Sequence, residues 1–475
     1  MEISVKNKKF IFGEHGNVSA TARYTPGAFG FVTEAERRQY DDLHVFELNS
    51  GFDTPYWYAG ENLTEISQDA KSCWVDSAAL TEALWKKDGC TPTGVRFIPL
   101  YFKAALSQEG NYKVTVTLTA RVEEENLMIF HGCRHLAWRG ALHRGETLRR
   151  TFTIHVAAII PNKLGTLRER TALDLAVVGH CPVLDAIEIE EVECPTLYLA
   201  GDSTMADYGA EYPYNPAACY GGWGQALDLY LNGSVAVCNQ AHNGRTTETF
   251  REEGHYDLVM QRIKAGDYFL IQFGHNDQKH PHLQAYNGYP ENLKRFIREI
   301  REKGALPLLA TSVARNTWTD KDGVLTYNDL LHDHAEACLA VGREMGVPVL
   351  DMHKLAMEEI KELGRDASIP YYHVGDWTHT NDYGAVRAAG YAAKELKQMD
   401  HTFTEYQPLA DAVNLMQEKW IPISAPLLQK PERLQDIPDP NAADSGEAAK
   451  DHQAEKDGGD SLARLLDAVK KAKEN

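Results

Sequence analysis

What the chain lacks narrows it first. No run of about eighteen apolar residues occurs, so no membrane-spanning helix is expected. The N-terminal stretch MEISVKNKKFIFGEHG has no apolar segment behind its lysines, so no secretory leader is expected and the chain reads as cytoplasmic. No basic stripe offsets the formal net charge of -19, which argues against a nucleic-acid partner, because phosphate backbones are held by clustered Lys and Arg. The eight cysteines (Cys73, Cys90, Cys133, Cys181, Cys194, Cys219, Cys238 and Cys338) form no C-x-x-C pair and no zinc spacing, so reduced thiols are expected. His242, His275, His280 and His282 crowd one region without an H-E-x-x-H or two-His-carboxylate pattern, so neither a metal nor a cofactor is expected. There is no internal repeat and no mark of an oligomeric state.

What is present is the make-up of an ordinary soluble body, 43% hydrophobic and 25% charged, in 475 residues, which is too long for one core. From the N-terminus to about residue 194 the signals are those of strands. Phe10 to Phe12, Arg23 to Tyr24, His44 to Leu48, Tyr112 to Leu118, Leu148 to Val156 and Ile187 to Val192 are short β-branched or aromatic runs between Gly, Asn and Asp turns. Tyr112, Val114, Val116 and Leu118 line one face of a strand, with Lys113, Thr115, Thr117 and Thr119 on the other. An all-β sandwich domain over 1–194 is predicted, with one inserted helix from Ser77 to Lys87.

Beyond Cys194-Pro195 the period changes. Apolar runs at Leu197 to Ala200, Val235 to Cys238, Tyr268 to Gln272, Leu306 to Thr311 and Val347 to Leu350 alternate with helical patterns. The helices fall near Trp223 to Leu231, Tyr256 to Lys264, Pro290 to Lys303, Tyr327 to Met345 and Tyr383 to Gln398. This alternation predicts a doubly wound parallel sheet with helices on both faces, over 195–435. Trp420, Ile421 and Leu427 suggest a segment that packs back onto that body. From 436 to 475 the chain is a polar tail, in which Ser461 and the spacing of Leu462, Leu465, Leu466 and Val469 outline a helix from Asp460 to Lys473.

In a parallel α/β sheet the strand-to-helix loops share one edge, where ligands bind. The first presents Gly201-Asp202-Ser203-Thr204, and the second runs from Asn239 to Arg245 through Asn243-Gly244. The third is Gly274-His275-Asn276-Asp277, and Asp376-Trp377-Thr378-His379 precedes the last helix. Each stretch alone is also an ordinary turn. Together they supply what an ester hydrolase needs: Ser203 as nucleophile, His379 as base, Asp376 to orient it, and Gly244 N–H with Asn276 Nδ2 as oxyanion donors.

These residues carry a resemblance. GDST at 201–204, N-x-A-x-x-G-R at 239–245, GHND at 274–277 and D-x-x-H-T-N at 376–381 resemble, in order, the four signature blocks of the SGNH hydrolase (GDSL-type esterase) superfamily. GGWGQ at 221–225 and the HTNDYGA context are similar to its rhamnogalacturonan acetylesterase-like branch. The resemblance implies a three-layer α/β/α, flavodoxin-like catalytic domain. It implies a serine acyl-enzyme that removes O-acetyl groups from pectin-type oligosaccharides, and an oxyanion hole of Ser203, Gly244 and Asn276. The first domain is compatible with the galactose-binding-like sandwich common in bacterial members; it either binds sugar or braces the hydrolase. Asn243 stands where glycine is frequent and Thr246 where serine is frequent, and Asn tolerates the left-handed region.

Tyr208, Tyr212, Tyr214 and Trp223, with His275, are the candidates for substrate contact, the aromatic rings by stacking on sugar faces, against ordinary loop packing as the alternative. Two rivals stand beside the pectin reading. One is the same site acting on another acetylated glycan such as xylan, or on a lipid or thioester. The other is a carbohydrate-binding protein without turnover.

Overall fold

The computed structural model describes residues 7–25, 27–32, 66–81, 97–160, 171–210, 214–416 and 418–422. Expectations for His44 to Leu48, Leu427 and the helix from Asp460 to Lys473 lie outside these residues, and the inserted helix is described only over 77–81.

Two large antiparallel sheets, with a small three-stranded one of Val183–Leu184, Cys73–Trp74 and Ser67–Gln68, make up the described residues of the first part of the chain. One orders its strands Asn7–Ile11, Ala186–Glu191, Gly110–Thr119 and Thr147–Val156. The other orders Phe29–Phe31, Leu100–Ala105, Ala172–Val178, Glu124–His131 and His135–Leu142. Alternation decides what lies between them: Tyr112, Val114, Val116 and Leu118 are buried, and they cluster with Phe10, Phe102, Ile129 and Leu175. Thr115 departs from the polar face, being buried where its hydroxyl meets that of Thr151 at 2.8 Å.

The second part is a five-stranded sheet ordered Ala236–Asn239, Thr196–Gly201, Tyr268–Gln272, Leu306–Ala310 and Val349–Leu350. Every pairing is parallel. In sequence terms the order is 2-1-3-4-5, so the winding reverses at Thr196–Gly201, and its carboxyl end is the crevice where such sheets bind ligands.

Alternate residues of each strand feed two separate cores. Leu197, Leu199, Leu270 and Leu308 pack with Leu227, Met352, Ala389, Ala392 and Leu396. Tyr198, Ala200, Phe269, Ile271 and Leu309 pack with Phe250, Phe296, Ile297, Cys338 and Val341. Helices Gly288–Glu302 and His332–Met345 therefore cover one face, and Met352–Leu363 and Asp382–Lys397 the other, giving an α/β/α layering.

Three local departures stand out, the first with a plain physical cause. The helix expected from Tyr327 begins at His332, because Trp318–Lys321 and Val324–Tyr327 pair as a hairpin. Its turn, Asp322-Gly323, has φ of 54° and 78°, the Asp-Gly signature of a tight two-residue connection. The helix expected near Trp223 is 3-10 over Trp223–Tyr230. Trp420 does pack back, 4.5 Å from the Tyr383 ring, but Ile421 is 66% exposed. Among the described residues the cysteines are free thiols, and no helix is long and apolar enough to cross a membrane.

Candidate active site

Asp202 builds the turn on which Ser203 sits. Its carbonyl accepts from the N–H groups of Met205 and Ala206, each at 3.1 Å. Its Oδ1 accepts from Thr204 N at 2.9 Å and Thr204 Oγ1 at 2.8 Å, while Oδ2 lies 3.2 Å from His275 Nδ1. Burial opposes this charge, yet His275 and the Thr204 donors hold the carboxyl below its ordinary range. The turn is thus fixed from beneath, and the Ser203 hydroxyl faces the last loop.

There, Ser203 Oγ is 2.8 Å from His379 Nε2, and His379 Nδ1 is 2.7 Å from Asp376 Oδ2. Asp376 Oδ1 accepts from Thr378 N at 2.7 Å and His379 N at 2.9 Å, so the i, i+3 spacing folds onto itself before Asn381 caps the helix Asp382–Lys397. Burial pushes the Asp376 carboxyl up, but the hydrogen bond and charge of His379 and the two amides outweigh it, leaving the pKa lowered. An ionised Asp376 accepts only. The proton of a neutral His379 therefore sits on Nδ1, and Nε2 is free to accept from Ser203.

The second loop is stitched to the first: Gln240 N donates to Leu199 O and His242 N to Gly201 O, both at 3.0 Å. This extends the pairing past the strand end and leads to Gly244, which is exposed with φ +73°. A Cβ there would meet nothing within 4 Å, so the demand for glycine is conformational. Asn243 does not share that geometry; among described non-glycine residues only Arg134 and Asp322 have positive φ. Asn276, half-buried in the third loop, donates through Nδ2 to Arg245 O at 3.1 Å, tying the second and third loops together. Beside it Asp277 accepts from Thr247 N, Thr247 Oγ1 and Gly274 N at 2.9, 2.6 and 3.1 Å, and burial pushes its carboxyl up to about 7.

Four of the expected substrate contacts are instead structural. Trp223 is fully buried and its indole donates to Gln272 Oε1 at 2.5 Å. Tyr214 is fully buried with its hydroxyl on Asp382 Oδ2 at 2.5 Å. Tyr208, 4% exposed, donates to Ser203 O at 2.6 Å and so braces the serine turn from behind. His275 is buried, with its nitrogens at Asp202 and, 3.0 Å away, Val313 O. The reason is common to all: aromatic rings beside a nucleophile turn are as readily taken into the core as offered to a ligand. Tyr212 lies outside the described residues.

The ring that does stand at the rim is Tyr220. It is 38% exposed, stacked on His373 with centroids 3.6 Å apart, and edge-on to His379 at 5.9 Å. Its exposure is set by the tertiary path of the loop, which sequence cannot rank among neighbouring tyrosines.

A second group missed in sequence is Arg134, from the turn between sandwich strands Glu124–His131 and His135–Leu142. Fully buried, its guanidinium pairs with Asp382, donates to the Tyr220 carbonyl, and through Nε donates to Tyr208 O at 3.0 Å. Gln225 completes the brace by donating to Cys133 O at 2.5 Å and Tyr208 O at 2.9 Å. The sandwich domain thus reaches into the loop that carries Ser203 and into the start of the helix that follows His379.

A serine hydrogen-bonded to an aspartate-oriented histidine, at the switch point of a 2-1-3-4-5 sheet, is an arrangement suited to ester hydrolysis. Residues 199–387 match the GDSL-like Lipase/Acylhydrolase family. The chain is similar to the rhamnogalacturonan acetylesterase RhgT of Bacillus subtilis (strain 168), 34% identical over 216 residues, covering 43% of this chain and 90% of that protein. A rhamnogalacturonan acetylesterase of Emericella nidulans is 31% identical over 214 residues, covering 40% of this chain and 80% of that protein. The uncharacterized esterase YxiM of Bacillus subtilis (strain 168) is 29% identical over 298 residues, covering 61% of this chain and 72% of that protein. The chain belongs to the GDSL-like lipase/acylhydrolase family and is an esterase.

Proposed function

We propose that the protein is a carbohydrate acetylesterase that removes O-acetyl groups from pectin-type, rhamnogalacturonan oligosaccharides. The observation that carries the reading is the chain of contacts from Ser203 Oγ to His379 at 2.8 Å and from His379 to Asp376 at 2.7 Å. The substrate class rests on the similarity to RhgT and to the Emericella nidulans enzyme.

His379 Nε2 takes the proton as Ser203 Oγ attacks the acetyl carbonyl carbon, and Asp376 steadies the imidazolium that forms. The negative oxygen of the tetrahedral adduct is met by the N–H groups of Ser203 and Gly244 and by Asn276 Nδ2. An amide NH₂ has two hydrogens, so Asn276 serves both Arg245 O and the oxyanion. His379 returns its proton to the sugar oxygen as the C–O bond breaks. Water then attacks the acetyl-serine by the same route and acetate leaves. Donors fixed before the reaction are where most of such a barrier reduction arises.

The test is acetate release from acetylated rhamnogalacturonan oligosaccharides, set against acetylated xylan oligosaccharides and acetyl and octanoyl model esters. Highest kcat/KM on the rhamnogalacturonan series is expected. Faster turnover of xylan would move the assignment to that glycan, and preference for octanoyl esters would replace it with a lipid or thioester substrate. A Ser203 that fails to label with a fluorophosphonate would end the hydrolase mechanism altogether.

A further inference from the structure

Where the sandwich meets the hydrolase, three side chains from distant parts of the sequence point at one spot. His131 and His135 are a directly paired cross-strand couple at the end of their hairpin, which places both rings on one face with centroids 5.3 Å apart. Asp228 approaches from the 3-10 helix Trp223–Tyr230 of the hydrolase. Its Oδ2 is 3.0 Å from His131 Nε2 and 2.9 Å from His135 Nδ1. All three ligand atoms lie within 4.8 Å of one another, and all three residues are buried.

We propose that His131 Nε2, His135 Nδ1 and Asp228 Oδ2 form a structural site for a divalent transition ion of the zinc type, pinning the sandwich domain to the hydrolase. Four features support it. Two imidazoles and one carboxylate are a donor set that suits zinc. Zinc bonds of about 2.0–2.1 Å in tetrahedral geometry put ligand atoms about 3.3 Å apart, so the two spacings from Asp228 Oδ2, 3.0 and 2.9 Å, need open by only a few tenths of an ångström. The outward nitrogen of His135 is already oriented, with Nε2 3.1 Å from Asp207 Oδ1, and Asp207 is itself fixed by Asn239 Nδ2 at 2.7 Å. A carboxylate behind a ligating imidazole is the usual outer support of such an ion.

The fourth feature is room for the remaining ligand. A cavity of about 40 Å³ adjoins the two histidines on the side away from Asp228, lined by His131, His135, Asp207 and His155. His155 Nε2 is buried and lacks a protein hydrogen-bond partner. That volume holds at least one water, which would serve as fourth ligand. Charge also closes: a divalent cation balances Asp228 and Asp207, and its binding displaces the protons that His131 Nε2 and His135 Nδ1 hold toward Asp228.

The test uses the full, tag-free chain. After dialysis against metal-free buffer, elemental analysis is expected to find close to one zinc per chain, or stripped protein takes up one equivalent. Cobalt in its place gives the visible absorption of a tetrahedral N/O site. Asp228→Asn and His135→Gln abolish uptake of both ions. Should these variants fail to fold, the unmodified chain still decides the matter, through a melting temperature that rises with zinc and falls with chelator. A chain that binds less than about a tenth of an equivalent of either ion, with a melting temperature indifferent to both additions, overturns the proposal. The cluster is then a hydrogen-bonded network of His135 between two carboxylates. None of these readouts depends on acetate release.

Discussion

Ser203 Oγ and His379 Nε2 meet at 2.8 Å although 176 residues separate them in the chain. The contact exists because both residues occupy turns at one edge of a single sheet, each turn closed by its own aspartate. Replacing Ser203 by Ala removes the proposed nucleophile while leaving Tyr208 its carbonyl partner. Acetate release should fall to the level of the uncatalysed control, with the circular-dichroism melt unchanged.

Asp376→Asn tests the orientation of the histidine. The amide still fits the turn, but it no longer holds the Nδ1 proton in the tautomer that the reaction needs, so kcat should drop about 10⁴-fold, as for the equivalent change in other triads. Stability carries a second signature. The folded state lowers the Asp376 pKa below 3.8, so its contribution is fully present above that value and is lost as pH falls through the lowered one. Melting curves of the two proteins should therefore differ most near neutrality and converge in acid.

Asn276→Ala removes one proposed oxyanion donor. A loss of about two to three decades in kcat, with KM nearly constant, is expected from the usual worth of such a donor. Steady-state kinetics on a small acetyl ester suffices, and unaltered turnover would remove Asn276 from the mechanism.

Tyr220 stands beside the reacting groups with its ring stacked on His373. If that ring receives a sugar face, Tyr220→Ala should raise KM for acetylated oligosaccharides about tenfold, in line with the worth of an aromatic contact, and leave KM for a small acetyl ester nearly unmoved. Tyr220→Phe should behave as the parent. Equal losses on both substrates would mean that the ring serves His379 alone.

Arg134→Ala leaves the Asp382 carboxylate buried with only the Tyr214 hydroxyl, and should destabilise the protein by about 3 kcal/mol in urea titration. Arg134→Lys should recover little, because a compact ammonium cannot span Asp382, Tyr208 O and Tyr220 O as the guanidinium does.

The parallel strands were legible because each is a short apolar run between turn signals; Tyr268–Gln272 covers the same residues in sequence pattern and in structure. The convergence of Ser203, His379 and Asp376 was legible for a related reason, since every strand-to-helix turn must open on the same edge. The hairpin before His332 carries an Asp322-Gly323 turn signal that the apolar periodicity does not register, and the helical pattern overlaps it only at Tyr327. Tyr208, Tyr214, Trp223 and His275 were misplaced because polarity at a ring's rim says nothing about which partner it meets. Arg134 was invisible, its carboxylate lying 248 residues away in another fold unit. The pairing of His131 with His135 needed knowledge of the hairpin register, and Asp228 needed the docking of two domains.

The buried guanidinium has one more implication. A fragment beginning at the first parallel strand would carry Ser203, Gly244, Asn276, Asp376 and His379, yet would expose the bed from which Arg134 had been withdrawn, together with apolar surface around Trp223 and Leu227 that packs with Met128, Phe130 and Leu136. Such a fragment should be poorly soluble and sluggish. Grafting this hydrolase onto a foreign carbohydrate-binding partner would then succeed only if the graft brings along the loop 131–135.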